Sequence, residues 1–173
     1  MNLSRALPIL LFLVIATALV FGLQRDPKNI PSVLVNNPLP HISLPALDPT
    51  QPRFESASFT GKNLVLINIF GSWCPSCRYE HPFLMRLSTD KRITLLGIDW
   101  KDERANVNRY LSDYGNPFAQ IAFDDTSRTI IDLGVTGAPE TFVVDTKGIV
   151  RRRITGPLTP EIWAAEVEPF LKN

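Results

Sequence analysis

The sequence predicts an α/β domain whose largely parallel sheet is covered by helices, and two patterns carry that prediction. From residue 64 the signals alternate by type: strand 64–70, helix 75–88, strand 93–99, helix 102–114, strand 119–123 and helix 126–133. That order builds a parallel core under helices. Residues 142–145, a Thr-Lys-Gly turn and residues 149–155 then read as an antiparallel hairpin, which makes the sheet mixed. A chain of 173 residues, 45% hydrophobic and 20% charged, has room for one domain and an appendage. The net charge of +1 is spread along the chain, so nothing marks a nucleic-acid footprint. Arg151-Arg152-Arg153 is read as the solvated edge of a strand.

The appendage is N-terminal. Residues 7–23 carry no charge and lie between Arg5 and Arg25, a stretch at the short end of what spans a hydrocarbon core. We read residues 1–23 as an export signal retained as a membrane anchor. Ala16-Thr17-Ala18 has the form of a cleavage site, but the apolar run continues past it through Leu19, Val20, Phe21 and Leu23. A short N-terminal tail with the domain translocated is the simplest topology. Residues 24–60 hold seven of the fifteen prolines, which favour extended backbone. Residues 24–37 read as a tether, residues 38–173 as the domain, and 41–47 as an edge strand.

The run Leu-Val-Leu-Ile-Asn-Ile-Phe at 64–70 has the length and β-branched content of a buried strand. Directly after it, Cys74 and Cys77 sit where strand hands over to helix. Unpaired N–H groups and the helix dipole there stabilise a thiolate at Cys74. Cys77, one turn further in, shares that face and is shielded, so Cys74 attacks and Cys77 resolves. As a staple the four-residue loop would contribute only about 2 kcal/mol. As a metal site Cys74, Cys77, His81 and His41 would total four ligands, but three crowd one helix and His41 lies far upstream. Pro82 should kink the first helix, and Thr159-Pro160 caps a last one reaching about residue 171.

Trp73-Cys74-Pro75-Ser76-Cys77 after a buried strand is similar to the thioredoxin superfamily. Gly134-Val-Thr-Gly-Ala-Pro-Glu-Thr-Phe-Val-Val-Asp145 resembles the second signature of one branch, the membrane-anchored thiol:disulfide interchange proteins of cytochrome c maturation (CcmG/DsbE). The similarity runs from about Pro38 to the C-terminus. It implies a thioredoxin fold, a central mixed sheet flanked by helices, with an N-terminal hairpin extension and one preceding transmembrane helix.

The resemblance also implies a cis Pro139 opposite the disulfide, leaving the backbone at Ala138 to pair with an extended substrate. Asn68 stands where thioredoxins proper carry a buried acid, and Glu80 or Glu140 would move protons instead, both lining the active-site groove. Trp73 would pack over the cysteines. Pro75 and Ser76 add no cation between the sulfurs, and Arg78 points away around the helix. Two carboxylates facing Cys74 would disfavour a thiolate and make the couple reducing.

The function so implied is reduction of apocytochrome c disulfides at CxxCH sites, in the periplasm, by a domain held on the bacterial inner membrane. No bound cofactor is required beyond the Cys74–Cys77 couple. The implied partners are apocytochrome c, a transmembrane electron donor of the DsbD/CcdA type, other cytochrome c maturation proteins and the membrane. A broader reductant for metal-centre assembly is the alternative within the class, and a copper or zinc chaperone the alternative outside it. Copper-insertion relatives space their cysteines by three residues, unlike Cys-Pro-Ser-Cys.

Overall fold

A computed structural model describes residues 3–23, 32–59, 61 and 63–171. Helix α1 spans Leu3–Leu23, and its apolar side chains from Leu7 to Phe21 are largely exposed. Its described side chains cover residues 7–22, roughly 24 Å of helix at 1.5 Å per residue. Among the described residues no helix is long and apolar enough to cross a membrane. The expected anchor thus lies only partly within them, and tether residues 24–31 lie outside.

In the domain, β1 (Ser43–Leu44) and β2 (Phe54–Glu55) form the N-terminal hairpin, pairing Ser43 with Glu55 and Leu44 with Phe54. The strand expected over 41–47 is this short because Pro45 has no N–H to continue the ladder. Pro45 instead offers its carbonyl to Phe123 N, and Leu47 N donates to Ile121 O. Residues 34–37, read as the end of the tether, are already bonded to the domain: Asn36 N donates to Val150 O and Val150 N to Asn37 O.

The main sheet contains β3 (Leu64–Phe70), β4 (Ile93–Trp100), β5 (Gln120–Asp124), β6 (Glu140–Val144) and β7 (Val150–Thr155), in the order β5-β4-β3-β6-β7. Strands β3, β4 and β5 are parallel, whereas β6 runs antiparallel to both β3 and β7. Every position of β3 is buried. Alternation along it sends Leu64, Leu66 and Phe70 into one apolar cluster, with both cysteines, and Val65, Ile67 and Ile69 into the other.

Three helices connect the strands: α2 (Pro75–Leu87), α3 (Arg104–Tyr114) and α4 (Arg128–Asp132). Pro82 lies inside α2 without ending it. The C-terminal segment begins as expected, with Pro160 at N1 and Thr159 Oγ1 accepting Ile162 N, but it does not stay α-helical. A π turn at Trp163–Val167 passes into a 3-10 turn at Glu168–Leu171. Pro169 removes an N–H that a continuous α-helix would need there.

Candidate active site

Cys74 is the N-cap of α2, with extended backbone at φ −92° and ψ 110°, and Pro75 takes the first helical position. Its N–H donates to Gly71 O at 3.1 Å, closing the turn that leaves β3. Cys74 Sγ in turn accepts Cys77 N at 3.1 Å, occupying an otherwise unpartnered donor of the first turn. The same donor is in place to stabilise a thiolate once the bond is reduced. Cys74 and Cys77 are joined as a disulfide with Cα atoms 5.3 Å apart. Both are buried, at 3% and 2% exposure, so in this oxidised form exposure does not separate attacker from resolver.

The Ala138–Pro139 peptide bond is cis. The Ala138 carbonyl lies 3.4 Å from Cys74 Sγ, which makes it the acceptor for the Cys74 thiol in the dithiol form. The Ala138 side of this cis bond therefore meets the redox centre.

Trp73 is anchored on Trp100. Its Nε1 donates to Trp100 O at 3.0 Å, its ring meets the Trp100 ring edge-on, and it is 49% exposed. Gly71 allows this placement, since a Cβ there would lie 2.4 Å from Trp73 Nε1. Ser72 N is held by Asp102 Oδ2 at 2.5 Å. Ser76 is exposed at the start of α2, and the Arg78 guanidinium lies over the Tyr114 ring at 5.2 Å.

The two glutamates part company. Glu80 lies on the buried face of α2 with Cys77, one turn further along. Its carboxylate accepts Asn68 Nδ2 at 2.8 Å and Leu158 N at 2.6 Å. Asn68, fully buried in β3, also donates to Thr141 Oγ1 at 3.0 Å. The acid absent from the strand is thus supplied by the helix at the same place. Burial pushes the Glu80 pKa up to about 7, against the lowering effect of its two donors.

Glu140 does not face the cysteines. It pairs with Ile69 in the sheet while Thr141 pairs with Asn68, and alternation places Glu140 on the opposite face. There it meets Arg153, 6% exposed, with Nε 2.7 Å from Glu140 Oε2. Oε1 also accepts Thr136 N, Thr136 Oγ1 and Gly137 N. The expected pair of acids over Cys74 is therefore a single acid, Glu80.

The four candidate metal ligands do not assemble. His81 is buried, with Nε2 against Gly115 O and Nδ1 against Tyr110 OH, while His41 is exposed and paired with Glu55. Among the described residues no group of three or more ligating side chains could hold a metal ion. Arg153, expected on a solvated strand edge, is instead buried against Glu140, and neither Asp99 nor Asp102 stands out in the sequence. Arg153 was not legible from the hairpin: counting back through the 146–148 turn sets it opposite Thr141, and only the bulge between Val143 and Val144 shifts it opposite Phe142, on the face of Glu140.

The Redoxin family matches residues 34–169. The thiol:disulfide interchange protein DsbE of Allochromatium vinosum is 42% identical over 169 residues, covering 97% of this chain and 93% of that protein. The chain belongs to the DsbE family of thiol:disulfide interchange proteins. DsbE of Escherichia coli K12 is 39% identical, covering 95% of this chain and 91% of that protein.

Among solved structures, a thioredoxin-family thiol:disulfide interchange protein from Chlorobium tepidum is 30% identical with a TM-score of 0.64, covering 78% of this chain and 95% of its own. A DsbF homologue from Corynebacterium diphtheriae, 19% identical, shares the fold with a TM-score of 0.68, covering 84% of this chain and 96% of its own. This DsbE-family chain is a thiol–disulfide oxidoreductase of thioredoxin-like fold. It works through redox-active cysteines without a cofactor.

Proposed function

We propose that the chain is a membrane-tethered dithiol reductant that opens disulfides of exported apocytochrome c, so that the CxxCH thiols can accept haem. The observation that carries this reading is the placement of Glu80, a buried acid one turn from Cys77 with no cation bonded to it among the described residues. A carboxylate there disfavours thiolate on the same face and biases the couple toward giving electrons away.

In the forward reaction the Cys74 thiolate attacks one substrate sulfur, forming a mixed disulfide and releasing the other sulfur as a thiolate. Cys77, deprotonated toward Glu80, then attacks Cys74 Sγ. The Cys74–Cys77 disulfide forms, the second substrate thiol leaves, and two electrons have passed to the substrate. The backbone at Ala138, beside Cys74, offers main-chain pairing to an extended substrate segment. A transmembrane electron donor of the DsbD/CcdA type would restore the dithiol, and other cytochrome c maturation proteins would work beside it.

Localisation belongs to the same proposal: the domain lies in the periplasm, anchored in the bacterial inner membrane through residues 1–23. The uncharged stretch 7–23 supports it. So does the arrangement within the domain, where Asn36 and Leu39 attach at Gly148–Val150, the end of the sheet opposite Cys74.

The test is trapping. A Cys77→Ser variant expressed with its anchor should accumulate a mixed disulfide through Cys74 with apocytochrome c, recoverable from membranes after a high-salt wash. Exclusive capture of other exported disulfide proteins would favour the broader reductant for metal-centre assembly.

A further inference from the structure

Asp99 lies in β4, fully buried, and neither of its carboxylate oxygens has a hydrogen-bond partner. Its neighbours in register are Phe70 of β3 and Phe123 of β5, both in the cluster that contains Cys74 and Cys77. Asp99 therefore faces the cysteine side of the sheet. A buried acid without partners is far less costly neutral than charged.

The residues after it hold the redox turn: Trp100 O takes Trp73 Nε1, and Asp102 takes Ser72 N at 2.5 Å and Glu103 N at 2.8 Å. The segment Gly71–Cys74 is thus suspended from the chain that directly follows Asp99.

The charged and titratable groups around Asp99 come from several elements. From the loop after β4, Asp102 opposes its ionisation, while Arg104 of α3 favours it. Arg104 bonds through Nη1 to the carbonyls of Ala46 and Leu47, with its guanidinium 4.2 Å from the Phe123 ring centre. On the same side of the sheet α2 contributes Glu80 and His81, and α3 contributes Tyr110, whose phenol is pushed up to about 12 by burial. Lys101 lies over the Trp100 ring, which packs with the opposite cluster. Burial first, then Asp102, raises the Asp99 pKa to about 8.

We propose that Asp99 is a positioning residue of the redox centre: its ionisation loosens the Asp102–Ser72 contact, adds negative charge on the cysteine face and lowers the reactivity of Cys74. While Asp99 is neutral, Asp102 holds Ser72 and Cys74 remains at the helix N-cap. When it ionises, its charge repels the Asp102 carboxylate three residues away, and the hold on Ser72 weakens. This needs only the dithiol chemistry of the family, so it stands or falls separately from the apocytochrome substrate.

Two measurements on the full chain test it, with Asp99→Asn and Asp102→Asn beside the parent. In the disulfide form, where neither cysteine titrates, the Ser72 amide resonance of the parent should shift through an inflection near pH 8. Asp99→Asn should abolish that inflection, and Asp102→Asn, lacking the opposing charge, should show Asp99 titrating at lower pH by its carboxyl carbon resonance.

In the reduced form, iodoacetamide should label Cys74 of Asp99→Asn at the parent's rate below pH 7. As pH passes 8, while Cys74 is still only partly thiolate, it should label the variant faster by up to roughly threefold, the factor for half a pKa unit. A folded Asp99→Asn variant with the parent's amide inflection and labelling profile would overturn the proposal. If that variant does not fold, Asp102→Asn decides: a downward shift supports the proposal, and an unchanged or upward one sinks it.

Discussion

Glu80 and Glu140 place the same carboxyl group in the interior on opposite faces of one sheet, and the partners they meet differ in kind. Glu140 is matched by the buried guanidinium of Arg153 and by donors from Thr136 and Gly137. Among the described residues Glu80 has two neutral donors, Asn68 and Leu158 N, and no bonded cation. The first arrangement ties the loop before cis Pro139 to β7. The second leaves an acid whose proton is exchangeable near neutrality, one turn from Cys77. Burial alone does not make a carboxyl group chemically useful; burial without a countercharge does.

Breaking the compensated pair should give the largest effect. Arg153→Met strands Glu140 in the interior and should destabilise the domain by about 3–5 kcal/mol in urea unfolding, whereas Arg153→Met with Glu140→Gln should recover much of that loss. Equal losses in the single and double variants would show that the guanidinium acts by packing and not by charge.

Glu80→Gln probes the uncompensated acid, and its signature is a pH dependence. The folded-state pKa of Glu80 is raised from 4.5 to about 7. Its contribution to stability is therefore fully present below about pH 4.5 and lost as pH rises through 7. The variant lacks this loss, so its stability relative to the parent should climb across that window by up to about 3 kcal/mol, at 1.36 kcal/mol per pKa unit. The Cys74–Cys77 couple should also become more oxidising, on the order of 30 mV against glutathione, equivalent to about 1.4 kcal/mol. Glu140→Gln should leave the potential nearly unmoved, and a matching shift there would erase the contrast between the two faces.

The smallest effect sharpens the same point from the surface. Arg128 and Asp132 form an i,i+4 pair with side chains 80% and 54% exposed. Asp132→Asn should change unfolding free energy by less than about 0.5 kcal/mol. A cost comparable to that of Arg153→Met would mean that burial is not what distinguishes the Glu140 pair.

The sequence by itself determined the order of strands and helices, the redox pair at the β3–α2 junction and the second motif with its proline. Each is written in contiguous residues: an apolar run, a CxxC two residues apart, an Ala-Pro-Glu before a strand. What surrounds the sulfurs was decided only in three dimensions. Glu140 lies next to Pro139 in the chain yet on the far face of the sheet, because the β3–β6 register sets its side. Glu80 meets Asn68 from another element, Asp102 reaches Ser72 from the β4–α3 loop, and Trp73 bonds to Trp100. Local patterns specify which element a residue occupies, whereas a buried group's charge state depends on neighbours brought together by strand pairing and packing.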